Sequence, residues 1–223
     1  MKRSIVFVLI LLLFAGYCFA EQFQTAVDRS GIDINTIKNL MKTGQMLIIE
    51  EKPDGTLKMV TAGIVINEPP AKVYETLVQY DKYHEYMPST VECRIVKDDG
   101  NTKDVFYKIS FKFSVLKWEV EYTLRQTFVA NKEIRWKLLE SKGDKLKETD
   151  GAWQLFSLPG GKTAAFYSAY SDLKSISWVI RKALEADPSM ELAVNASACV
   201  MVIKALKNRM EKPNYAPNLK NKM

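Results

Sequence analysis

Between residues 105 and 138 apolar and polar side chains alternate in three successive segments, and that pattern leaves few folds open. In 105–115 the odd positions Val105, Tyr107, Ile109, Phe111 and Phe113 are apolar, with Lys108, Ser110 and Lys112 between them. In 118–128 the even positions Trp118, Val120, Tyr122, Leu124 and Phe128 are apolar, against Glu119, Glu121, Thr123, Arg125 and Thr127. Ile134, Trp136 and Leu138 continue the rule. Strand side chains point to opposite faces with period two, so three such segments predict an antiparallel sheet with one wet and one apolar face. The apolar face needs a cover.

The sequence offers one near its end. Across 189–212, Leu192, Ala196, Cys199, Ile203, Leu206 and Met210 recur at three- and four-residue steps, the spacing of one helix face. Pro188 and Ser189 suit its first turn. Lys204, Lys207, Arg209 and Lys212 favour its C-terminal end, and Pro213 stops it. The small residues Ala193, Ala196 and Ala198 let something approach closely or leave a void beside the helix.

The remaining segments fit around these two. Residues 21–43 carry Ile34, Ile37, Leu40 and Met41 at helical spacing, ending at Gly44. Strands are predicted over 45–51 and 57–67, joined by a turn through Pro53-Asp54-Gly55. Pro69-Pro70 closes the second and opens a helix over 71–80, with Val73, Leu77 and Val78 facing inward. Asp81 is placed to cap a second short helix over 82–87, before a strand over 91–98. Turn residues at 142–145 and 159–162 bound strands near 146–157 and 163–172. A helix over 175–184 precedes the long one, and the polar tail 213–223 is expected to be disordered.

Lys2 and Arg3, the apolar run 5–15 and the small residue Ala20 before Glu21 read as a signal peptide over 1–20, the competing reading being an uncleaved anchor. The expected location is therefore the periplasm or cell envelope. Without Lys2 and Arg3 the 32 basic residues fall to 30 against 26 acidic, a mild balance near +4. Charges alternate in sign rather than forming a basic block, which argues against a nucleic-acid groove. Cys93 and Cys199 either pair as a disulfide or are buried free thiols. With one histidine they make a zinc or haem site a poor fit, and no cofactor or metal is expected.

The order hairpin, two short helices after Pro-Pro, antiparallel strands, then a long C-terminal helix resembles the START-like helix-grip superfamily (SRPBCC, birch-pollen-allergen-like). It is nearest to the bacterial polyketide-cyclase/coenzyme-Q-binding START group. The likeness is strongest over 64–88, where an apolar strand, Pro69-Pro70, a helix, Tyr80-Asp81 and Met87-Pro88 follow the family's opening, and it covers about 57–212. The resemblance implies an α+β fold, a curved antiparallel sheet around the long C-terminal helix in a domain over 57–212, with 21–56 as an N-terminal extension. It also implies a cavity between sheet and helix for a lipid, quinone, isoprenoid or similar hydrophobic molecule.

Candidate lining residues are Tyr107, Phe111, Phe113, Trp118, Tyr122, Phe128 and Trp136 from the strands and Ala196, Cys199 and Ile203 from the helix; the strand aromatics equally suit a filled core. Gln126, polar on an apolar face, either bonds a ligand or marks where the strand leaves the core. Ile176 and Trp178, beside Arg181 and Lys182, either touch a membrane surface transiently at the cavity mouth or pack on the sheet edge. His84 reads as a surface residue, and Glu148 or Asp150 becomes a proton carrier only if one faces the cavity. No Ser-His-Asp order, metal spacing or phosphate loop is present, so no catalytic residue is assigned. The leading expectation is a monomeric carrier. A cyclase or dehydratase using the same cavity and a filled-core interaction domain are the alternatives.

Overall fold

The computed structural model describes residues 25–29, 38–39, 41–42, 44–113, 116–187, 189–212 and 214–220. In chain order come α1 (Ala26–Arg29), β1 (Gln45–Glu51), β2 (Leu57–Ile66), α2 (Pro70–Leu77) and α3 (Tyr83–Tyr86). The strands β3 (Thr90–Asp98), β4 (Thr102–Phe113), β5 (Leu116–Val129), β6 (Glu133–Ser141), β7 (Thr149–Leu158) and β8 (Lys162–Ser171) follow. The chain closes with α4 (Trp178–Ala186), α5 (Ser189–Glu211) and α6 (Pro217–Lys220). From residue 45 onward the predicted segments all appear, with β4, β5 and β6 longer than the strict alternation marked. Residues 1–20, with the signal reading, lie outside the described residues, as do Ile34, Ile37 and Leu40.

Among the described residues the strands form one antiparallel sheet ordered β1-β2-β8-β7-β6-β5-β4-β3, and α5 lies across it on β2 and β8. Cys199, Ile203 and Leu206, on the stripe read from sequence, are buried there among Val60, Ala62 and Ile64. Burying a side chain the size of Ile203 or Leu206 stabilises by about 1.5–3 kcal/mol, so this stripe is a main fastening of helix to sheet. The helix end is held by polar groups. Lys207 Nζ donates to the Val65 carbonyl at 2.5 Å, and Glu211 Oε1 accepts from the Asn67 backbone N–H at 2.9 Å. Arg209 pairs with Glu85 of α3 at 2.8 Å, so the short helices grip the end of α5. The exposed edge strand β3 carries bulges near Val91 and Val96 and the charges Glu92, Arg94 and Lys97, which discourage pairing with another sheet.

Two local expectations are corrected, and one open alternative is decided. Asp81 does not cap a helix: it sits in the 3-10 turn Tyr80–Lys82, its carbonyl 2.7 Å from His84 Nδ1. The tail is partly ordered on the protein, since α6 places Asn218 Nδ2 2.8 Å from the Met87 carbonyl. Of the two readings open for Cys93 and Cys199, the buried free thiols hold; Cys199 Sγ faces the Val60 carbonyl at 3.7 Å.

The face away from α5 is only half wet. On β4 and β5 it is, with Lys108 between Glu119 and Glu121. On β7, β8 and β2 it holds a second small core in which Ala164 and Phe166 are fully buried beneath Met41. Phe166 fits because Gly63 opposite it has no Cβ; one would come within 2.8 Å of the ring. The N-terminal segment lies on the same face. Thr25 Oγ1 donates to Gln154 Oε1 at 2.8 Å, and Arg135 Nη2 donates to both oxygens of Asp28, at 3.0 and 2.8 Å. The alternation rule missed this because the cover comes from residues more than 100 positions away.

Two expectations follow. On the α5 face of β7, Gly151 stands opposite Trp136, where a Cβ would overlap the indole and come within 2.6 Å of the Ser168 carbonyl. Gly151→Ala should therefore destabilise by about 1–3 kcal/mol in chemical denaturation. Burial alone would raise the Asp28 carboxyl, but Arg135, the Thr25 N–H and Gln154 outweigh it and hold the pKa below the ordinary 3.8. A depressed carboxylate stabilises the folded state above its unfolded pKa and loses that effect as pH falls through the folded value. The N-terminal segment should thus stay docked at neutral pH and become protease-sensitive below 3.8; Arg135→Met should expose it at pH 7.

Candidate functional site

The register of β4 and β5 brings the predicted aromatics together in pairs. Tyr107 stands opposite Tyr122, their rings stacked at 5.5 Å and 12°, and Phe111 opposite Trp118 at 5.8 Å and 26°. Aromatic pairs of this kind add about 0.5–1.5 kcal/mol beyond their area, enough to favour this register over its neighbours. Across the sheet, Tyr167 of β8 lies against both Trp136 and Trp153, at 5.4 and 4.6 Å.

Between this surface and α5 lies a cavity of about 140 Å³. Tyr107, Tyr122, Gln126 and Trp136, candidates from the sequence, line it. Other predicted residues do not. Phe111 and Trp118 stack farther along β4 and β5, Phe128 packs on the core, and the side chain of Phe113 lies outside the described residues. On α5 it is Val202 that faces the cavity, while Ala196, Cys199 and Ile203 pack on the sheet. The helix sits over β2 and β8 rather than the sheet centre, so its apolar stripe is used for fastening and a flank is left to the void. Tyr83, Trp153 and Tyr167 also line the void and were missed. The tyrosine-rich run 80–86 was a signal for the first; β7 and β8 lacked the alternation that would have flagged the others.

Gln126 is settled as an interior group, 2 % exposed. Tyr80 Oη donates to Gln126 Oε1 at 2.5 Å, and Gln126 Nε2 donates to Tyr107 Oη at 2.8 Å. Tyr83 Oη donates to the Leu77 carbonyl at 2.5 Å. The hydroxyls of Tyr122 and Tyr167 have no hydrogen-bond partner among the described residues. Burial pushes the phenols of Tyr83, Tyr107, Tyr122 and Tyr167 above their ordinary value, so they remain neutral donors at any physiological pH. The Cys93 thiol is raised for the same reason, although a hydrogen bond from Tyr107 opposes the shift.

No carboxylate, imidazole, amine or guanidinium lines the cavity among the described residues. Glu148 is exposed, and Asp150 alternates with the lining residue Thr149, so it points to the other face of β7. Burial, with help from Glu148, raises the Asp150 carboxyl, but at a position remote from the void. His84 lies on the partly exposed α3, away from the lining. No group of three or more metal-ligating side chains occurs among the described residues.

One end of the cavity meets the segment before α5. Thr149 and Ser171 bond to each other at 2.9 Å, and Asn195 Oδ1 accepts from the Ser171 N–H at 3.3 Å. Lys174 pairs at 2.9 Å with Glu191, a buried carboxylate in the first turn of α5. From there α4 projects with Leu184 its one buried residue among those described, capped by Ser177 Oγ accepting from the Ile180 N–H at 3.2 Å. Trp178 is 70 % exposed, Arg181 and Lys182 are exposed, and Ile176 is half-buried.

Comparison with solved structures gives the same architecture. The human StarD13 (DLC2) lipid transfer and protein localization domain superposes with a TM-score of 0.59 at 13% identity, over 86% of this chain and 99% of its own. A STAR-related lipid transfer protein fragment from Xanthomonas axonopodis gives 0.56 at 13% identity, over 76% and 94%. The protein TTHA0849 from Thermus thermophilus gives 0.54 at 15% identity, over 69% and 97%. At such identities the likeness speaks for the fold alone. No match was found among curated proteins. The family described as polyketide cyclase / dehydrase and lipid transport matches residues 66–209, from the end of β2 to the last turn of α5. This chain, with its START-type helix-grip fold, belongs to that family.

Proposed function

We propose that the protein binds a hydrophobic small molecule, such as a lipid, quinone or isoprenoid, between sheet and α5, and carries it rather than transforms it. The observation behind this reading is the lining itself. It is aliphatic and aromatic, its polar members are neutral phenols, hydroxyls and one amide, and no ionised group faces it among the described residues. Apolar walls with a few convergent polar groups suit enclosure and orientation of a hydrophobic ligand. A cyclase or dehydratase needs a proton carrier matched to neutral pH. The raised phenols are poor candidates for that role, which sets the enzyme reading second.

The cavity is smaller than the roughly 300–1,000 Å³ of common ligand pockets. Loading therefore requires α4 and the first turns of α5 to move outward, with the Lys174–Glu191 pair as the contact that yields. Exchange takes place at a membrane surface. Trp178 enters the interface, and Arg181 and Lys182 meet anionic headgroups. The chain is exported to the periplasm or envelope, a reading that rests on the leader-like residues 1–20.

Protein purified from the envelope without detergent should release one stoichiometric hydrophobic molecule on organic extraction, and its intact mass should start at Glu21. Val202→Trp, which fills the void from α5, should keep the circular dichroism of the parent yet lose at least about tenfold in ligand occupancy. A protein that stays empty and is not stabilised by any lipid or quinone would refute the carrier. Trp178→Ala with Arg181→Gln and Lys182→Gln should slow transfer to phosphatidylglycerol vesicles about tenfold and leave equilibrium affinity unchanged. Equal transfer rates would remove α4 from the mechanism.

A further inference from the structure

A second opening lies at the other flank of the long helix. It is an open recess of about 430 Å³ that shares no lining residue with the interior cavity. Three segments converge there: Met41, Lys42, Gly44 and Gln45 at the entry to β1, Ile64 and Val65 on β2, and Lys204, Lys207 and Asn208 on α5.

The parts differ in chemistry. Ile64, on the α5 face of β2, is buried and gives an apolar floor, with Met41 and Val65 packed together on the opposite face behind it. Three lysines line the opening; Glu211 compensates Lys207 from outside the lining, and no carboxylate is itself among the described lining residues. Lys207 is held in place, donating to the Val65 carbonyl at 2.5 Å and paired with Glu211 at 2.8 Å. Lys42 and Lys204 are exposed and form no ion pair with another described residue. Lysines near a helix C-terminus are ordinarily explained by the helix dipole. That accounts for Lys207, but not for Lys42, which arrives from the opposite wall.

We infer that this opening is a binding site for an anionic amphiphile, a phosphate or carboxylate head carrying an apolar tail. The ammonium groups of Lys42 and Lys204 take the head as point charges, and the floor at Ile64 takes the first part of the tail. A bare inorganic anion leaves the floor unused; a neutral lipid leaves the lysines unused. The head comes from a free amphiphile or from a lipid in a bilayer, and the chemistry at the protein is the same for both. The site stands on its own lining and does not depend on what fills the interior cavity.

The test is calorimetric titration of the purified protein with monomeric dodecyl phosphate, with dodecanol and inorganic phosphate as partial ligands, and co-sedimentation with phosphatidylglycerol and phosphatidylcholine vesicles. Dodecyl phosphate should bind about tenfold or more tightly than either partial ligand. Lys42→Glu with Lys204→Glu, two solvated positions, should abolish that preference without lowering the melting temperature. Loss confined to phosphatidylglycerol vesicles in the double variant would identify the source as membrane lipid and support the site equally. Inorganic phosphate or dodecanol binding as tightly as dodecyl phosphate, or indifference of all binding to the double variant, would overturn it. Val202→Trp separates the two sites: dodecyl phosphate binding that survives it supports this one, and binding lost with it would place the probe in the interior and overturn the proposal.

Discussion

The placement of α5 over β2 and β8 is the constraint from which the rest of the molecule follows. An antiparallel sheet of this width presents more apolar surface than one helix covers, so the helix protects one region and exposes another. Here Cys199, Ile203 and Leu206 close against Val60, Ala62 and Ile64, at the side where β2 and β8 meet. The remainder, over β4 to β7, is where Tyr107, Tyr122, Trp136 and Trp153 pack on one another or on Tyr167 and border a void. Fastening and cavity are two consequences of one off-centre contact.

The cavity is polar in a restrained way. Its Tyr80–Gln126–Tyr107 chain joins the turn before α3 to β5 and β4, and each deeply buried member has a partner. A buried amide left unpaired would cost on the order of 1–3 kcal/mol, so this chain also fixes the position of the short helices. Tyr122 and Tyr167 keep donors to spare. Such a surface orients an apolar molecule through its oxygen atoms while offering no ionised group to react with it.

The outer face extends the same logic beyond the family-matched region. The N-terminal extension precedes residue 66, yet Thr25, Asp28 and Met41 lie on β6, β7 and β8. It converts part of a wet face into a second core and supplies one wall of the basic opening beside α5.

Local sequence determined the element types and their order. Period-two alternation over 105–138 and the helical spacing of Leu192 to Met210 are properties of neighbouring residues, and backbone geometry turns them directly into strand and helix faces. Pro-Asp-Gly at 53–55 and Pro69-Pro70 marked their junctions in the same local way. Tertiary structure alone decided which side chains meet. That Val202 rather than Ile203 faces the void depends on where the helix axis crosses the sheet, which no spacing along the helix encodes. Gln126 lies inside because Tyr80, 46 positions earlier, comes to it, and Phe166 is covered because Met41 does. Cys93 and Cys199 are unpaired with each other, on β3 and α5, although their spacing in sequence left pairing open. Periodicity states the face on which a residue lies; only the packing of distant elements states what that face meets.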